Sequence, residues 1–180
     1  MFRNVIRLST GEHLGLQIAR RHSEIEIAMS SDHHSTIHAS AVLFGAQAVL
    51  IRGPSGAGKS RLALALLELA QAGQIGFARL VADDRVLIAP VHGRLLARPA
   101  PELAGLIEVR GLGIRRMPYE PVAVVGTVLD LAAEDGSRLP QSASREVQIA
   151  QIRLPRLAVA AGVKPLPILL AYLWSADAIP

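Results

Sequence analysis

The chain has 180 residues, 51% hydrophobic, 19% charged and 3% aromatic, with a formal net charge of +4 and no cysteine. This composition excludes a disordered chain, and the missing cysteines exclude disulfides and thiolate metal sites, in keeping with a reducing compartment. The basic excess is scattered arginine, with doublets only at Arg20-Arg21 and Arg115-Arg116 and no interleaved aromatics, which argues against nucleic acid as the partner.

Residues 1–35 mix charges with weak periodicity and are expected to form an N-terminal extension to a catalytic domain spanning 36–180; Met29 offers an alternative translation start. No apolar run is long enough to span a membrane, and the N-terminus lacks a signal peptide's apolar region, so a soluble, cytoplasmic protein is expected. From Thr36 the pattern sharpens. "TIHASAVLF" and "AVLIR", joined at Gly45, read as two strands in a tight connection. "KSRLALALLELAQAG" carries leucines at helical spacing and is stopped by Gly73. "ARLVA" and "RVLIA" are strands on either side of Asp83-Asp84, "PVHG" is a turn, "RLLAR" a strand and "PAPELAG" a short helical turn. "LIEVRGLGIRRM" and "VAVVGTVLDL" are strand-like, "AAEDGSRLPQSAS" is a loop, and Pro165 to Trp174 is a helix whose "PILLAYLW" reads as a subunit contact or as core, and is assigned to the core. Strands around one strong helix predict an α/β fold with a mixed sheet and more hairpins than a doubly wound sheet has.

The chemistry begins between the second strand and the helix. Gly53-Pro54-Ser55-Gly56-Ala57-Gly58-Lys59-Ser60 fits G-x4-G-K-S/T at every position and in the right context. The glycines let successive N–H groups close around phosphate oxygens, and the helix N-terminus adds its positive end. Lys59 reaches the β- and γ-phosphates of ATP or GTP, and the Ser60 hydroxyl is suited to Mg2+. The placement of Lys59 is telling, because only it and Lys164 are lysine among 19 basic residues.

Asp83-Asp84 closes an apolar strand, where an acid of a phosphate-loop protein holds Mg2+. Neighbouring side chains on extended backbone face opposite ways, so one carboxylate can serve the metal while the other meets the acceptor. Glu108 and Arg110, two apart in "GLIEVRGLGI", share a strand face and read equally well as a salt-bridged strand edge. His38, in "TIHASAV", reads on its own as a core histidine, and His33, His34 and His92 as solvated residues.

Together "IHASAV", "GPSGAGKS", "LVADDRV" and "GLIEVRGLGI", in this order, resemble the catalytic domain of the bacterial HPr kinase/phosphorylase family from about Ser35 to about Met117, with a weaker tail to about Leu157. The resemblance implies a phosphate-loop fold related to phosphoenolpyruvate carboxykinase. It also implies transfer of a phosphoryl group from ATP to a serine of an HPr-like phosphocarrier of the sugar phosphotransferase system. By that resemblance His38 is the catalytic histidine, Lys59 the phosphate-binding lysine, and Asp83-Asp84 contains the proton acceptor. Ser60 and Glu108 are Mg2+ ligands, and Arg138, in "SRLP", matches the family's "DRLG" arginine that steadies the transferred phosphate. The resemblance further implies a hexamer and, since there is no room for a separate N-terminal domain, the short form seen in alphaproteobacteria. The family's "GRN" segment, tied to dephosphorylation, is absent here, which leaves that activity doubtful. Arg61 stands where the family usually has an acid.

Two other readings use the same residues. A small-molecule kinase would require an arginine-bearing lid, of which "GIRRMP" is the only candidate. A nucleotide-gated sensor would bind ATP and contact a partner while catalysing little.

Overall fold

The ten-residue strand β1 (Ser35–Phe44) is shared end to end between two partners, and this sharing organises the molecule. Its first half pairs with β4 (Arg85–Val91), His38 lying opposite Arg85, and its second half with β3 (Ala78–Ala82), Ala41 lying opposite Ala82. Asp83-Asp84 therefore interrupts what would be one continuous strand beside β1, across from Ala39 and Ser40. The computed structural model describes residues 35–175. The extension expected over 1–35 lies, except for Ser35, outside the described residues.

On its other edge β1 forms a hairpin with β2 (Gln47–Arg52) through the Gly45 turn. The sheet runs β2-β1-β4-β5-β8-β10-β9, where β5 is Arg94–Pro99, β8 Ala123–Leu131, β9 Glu146–Ile149 and β10 Ile152–Val159. A second pairing of β8 with β2 bends it back on itself. The pairings β2–β8 and β8–β10 are parallel and the others in this sheet are antiparallel. A separate ribbon joins β6 (Leu106–Val109) to β7 (Gly113–Arg116). This is the mixed sheet with hairpins that the sequence predicts.

The fold of the sheet encloses one aliphatic core around Leu50, Val81, Val86, Leu95 and Val128. The opposite face packs Ile51, Leu80, Ile107 and Leu129 against helices α1 (Lys59–Gln71) and α2 (Pro165–Trp174). Helix α1 turns Leu62, Ala63 and Leu66 inward, and Gly73 follows it in the left-handed region at φ 67°, as the glycine stop predicts. Helix α2 has the expected boundaries, but the assignment of its apolar run to the core holds for one face only, where Leu166, Leu169, Leu170 and Leu173 pack inward. Leu169 is its one buried residue, and Trp174 is 61% exposed. Among the described residues no helix is long and apolar enough to cross a membrane.

The strand pair β9–β10 goes beyond the strands expected from the sequence. Its connection, Ala150-Gln151, has both residues in the left-handed region (φ 47° and 66°), a conformation usually marked by glycine or asparagine.

Candidate active site

The parallel strands β2 and β8 end together, Arg52 lying opposite Asp130, and the chain leaves β2 directly into the phosphate loop. At Gly53 a Cβ would stand 2.8 Å from the Leu131 carbonyl oxygen, so only glycine lets the loop pass this close to β8. Gly58 caps α1 in a left-handed conformation (φ 97°), aiming the first amides of the helix into the loop.

Lys59 curls back over the loop, its Nζ donating to the carbonyls of Gly53 (3.0 Å) and Pro54 (3.1 Å). It is only 7% exposed, and among the described residues no carboxylate pairs with it. A buried ammonium held by carbonyls alone carries uncompensated positive charge, which is a reason for an anion to bind there. The loop therefore fits the phosphates of a nucleotide.

The two aspartates are unlike. Asp83 is 4% exposed and accepts three hydrogen bonds, from Ser40 Oγ (2.5 Å), Ser60 Oγ (2.9 Å) and the Glu108 amide (3.3 Å). One carboxylate thus gathers β1, the start of α1 and β6 around the loop's serine. Asp84 takes the left-handed conformation (φ 67°), which Asp tolerates better than most residues, and its side chain is 66% exposed. His38 Nδ1 lies 3.1 Å from both the Asp84 backbone oxygen and Oδ1. The histidine is 54% exposed, so its reading as a core residue is corrected. The strand end separates a buried carboxylate on the loop side from an exposed one on the histidine side.

Ser60 Oγ and Asp83 are joined directly, and Glu108 meets the pair through its backbone amide, its exposed side chain lying on the same short strand. Among the described residues no three His, Cys, Asp or Glu side chains cluster as a complete metal cage. Such a partial set suits Mg2+, which is usually held by one or two protein oxygens, phosphate oxygens and water.

Arg138 lies in the exposed connection between β8 and β9, with no side-chain partner among the described residues. Sequence reasoning missed a second cluster beside the loop. Arg52 donates to Asp130 through Nε and Nη2 (both 2.7 Å), and Arg156 of β10 donates to the same carboxylate through Nε (2.6 Å). Burial pushes the Asp130 carboxyl up, but the hydrogen bonds and charges of the two guanidiniums outweigh it and hold it below its ordinary value. The signal available was a charged residue within apolar runs in "AVLIR", "VLDL" and "LPRLAV", legible only once those strands are known to be neighbours.

Residues 28–118 match the family model of the HPr Serine kinase C-terminal domain, half of the chain and the half that holds the phosphate loop, Asp83-Asp84 and Glu108. The chain belongs to this family. HPr kinase/phosphorylase of Clostridium tetani is 43% identical over 70 residues, covering 39% of this chain and 21% of that protein. The same enzyme of Geobacillus thermodenitrificans is 38% identical over 122 residues, covering 62% and 37%. The chain thus spans between about a fifth and a little over a third of the length of these relatives. The solved Hpr(Ser) kinase/phosphatase of Coxiella burnetii superposes with a TM-score of 0.62 at 25% identity, over 77% of this chain and 93% of that one. The matched HPr kinase segment ends before Asp130, Arg138 and Arg156, so the ionic cluster lies where the family model is silent.

Proposed function

We propose that this chain transfers the γ-phosphoryl group of ATP, with Mg2+, to the serine hydroxyl of an HPr-like phosphocarrier protein. Family membership supports the reaction class, and the unlike surroundings of Asp83 and Asp84 carry the reading of the site. A serine hydroxyl is a weak nucleophile that needs a carboxylate to take its proton as it attacks. Asp84 is the carboxylate an incoming protein side chain can reach, and His38 orients it. As the serine oxygen bonds to the γ-phosphorus, the bond from that phosphorus to the β-phosphate oxygen breaks, and the serine proton passes to an Asp84 oxygen. Lys59 neutralises charge on the phosphates, while Asp83 fixes Ser60 and, with it and Glu108, would hold Mg2+. Bound there, Mg2+ would supply further positive charge to the transferring group. Arg138 is assigned to the same charge from the outer side.

The test is incubation with γ-labelled ATP, Mg2+ and an HPr-like carrier, with the label located by mass spectrometry. Label on a carrier serine is expected, and addition of inorganic phosphate to that product then tests the dephosphorylating activity, by release of the serine hydroxyl and labelled pyrophosphate. Asp84→Asn should slow transfer by at least about 100-fold while ATP still binds. Asp83→Asn should instead weaken binding of the Mg2+–ATP complex. Bound ATP with no transfer to any carrier serine would leave a nucleotide sensor.

A further inference from the structure

The connection between β8 and β9, residues 132–145, leaves the sheet beside the phosphate loop, and one side chain fastens both of its limbs. Arg156, 16% exposed, reaches Asp130 on its own side of the sheet with Nε and extends its remaining nitrogens into the loop. Nη1 donates to Asp135 Oδ2 (2.5 Å) and to the Ser144 carbonyl (3.2 Å), and Nη2 to Asp135 Oδ1 (2.9 Å). Asp135 stands where the loop departs and Ser144 where it returns. The departing limb is also pressed onto β10. The Ala133 amide donates to the Val159 carbonyl (2.9 Å), and a Cβ at Gly136 would stand 2.4 Å from the Ala160 nitrogen. Arg138 follows two residues beyond that contact. On the other side Asp130 is held by Arg52, the residue before Gly53.

We propose that Arg156 is a positioning residue for Arg138: by gripping Asp130, Asp135 and the Ser144 carbonyl together, it ties the neck of the 136–143 loop to the strand ends that carry the phosphate loop. Arg138 is thereby presented to phosphates held at Gly53–Ser60 from a fixed base rather than from a free loop. The guanidinium is suited to this because its planar fork serves several acceptors in fixed directions, which an ammonium cannot do. The inference rests on the reading of Arg138 as a ligand of the transferred phosphate.

Hydrogen–deuterium exchange on the full chain, with and without ATP and Mg2+, tests it independently of any carrier. In the wild type, ATP should slow exchange across 136–143. In Arg156→Lys the segment should exchange about tenfold faster and lose the protection by ATP, while α1 remains protected as a control for folding. Asp135→Asn, which cuts only the loop side, should give the same change to a smaller extent. Equal protection by ATP in the wild type and both variants, or none in the wild type, overturns the proposal whatever the carrier assay gives. Where transfer is measured, Arg156→Lys should lower kcat by about tenfold with KM for ATP unchanged. The double variant Arg138→Ala/Arg156→Lys should be no slower than Arg138→Ala alone. Additive losses in that cycle would also overturn the proposal. Exchange behaving as expected in a chain that phosphorylates no carrier would remove the kinase reading and leave the tether standing.

Discussion

Asp83 and Asp130 both sit at strand ends beside the phosphate loop, and both are fully engaged, but by opposite means. Asp83 is held by two hydroxyls and an amide, none of which brings a charge. Asp130 lies between two guanidiniums, the second of which is shared with Asp135, so that charge is balanced within the cluster. Neutral donors orient a carboxylate and leave its negative charge to act on something else, such as a cation arriving with a nucleotide. Paired arginines cancel the charge and convert the carboxylate into a structural joint. The same residue type thus keeps its charge available at one strand end and is made a structural joint at the next.

The contrast can be broken most severely at Asp130. Asp130→Asn should lower stability by about 3 kcal/mol in urea unfolding, because both arginines then face a neutral amide in a half-buried cluster. A pH series sharpens the contrast. The folded-state carboxyl of Asp130 lies below its ordinary value, so the unfolded chain takes up the proton first as pH falls. The stability that Asp130 contributes is therefore complete above the ordinary carboxylate range and is lost as pH drops through the folded value. The difference between wild type and Asp130→Asn should accordingly be full at neutral pH and shrink in the acid range. At Asp83 the expected effect is smaller. Ser40→Ala removes one of three donors and should lower stability by about 1 kcal/mol in the same unfolding experiment.

Much of the Asp83 region is legible in sequence because its parts are local or carry strong signals. The glycine loop, the helix with its leucine spacing and the break between "ARLVA" and "RVLIA" each mark themselves. Even so, the sequence does not say which aspartate is buried; that follows from β1 lying opposite both halves of the broken strand and placing Ser40 against Asp83. The Asp130 region is poorly legible. Arg52 and Asp130 are 78 residues apart, and Asp130 and Arg156 are 26 apart, with nothing local to couple them. The hairpin bringing Arg156 into place turns on Ala150-Gln151, which lacks the residues that advertise such a turn. In α2 the apolar run identifies a helix but not which face meets the protein: Leu166, Leu169, Leu170 and Leu173 pack inward, while Ile168, Tyr172 and Trp174 are exposed.

The parallel pairing of β2 with β8 has a consequence in time. Residues 53–60 are made before the strand they lean on, which is completed only when Leu131 has emerged, and the cluster bracing it only when Arg156 has. Contacts between residues so distant along the chain form late, after the entropy of closing the intervening segment has been overcome. The growing polypeptide thus carries the phosphate-loop motif long before the sheet that shapes the loop is closed.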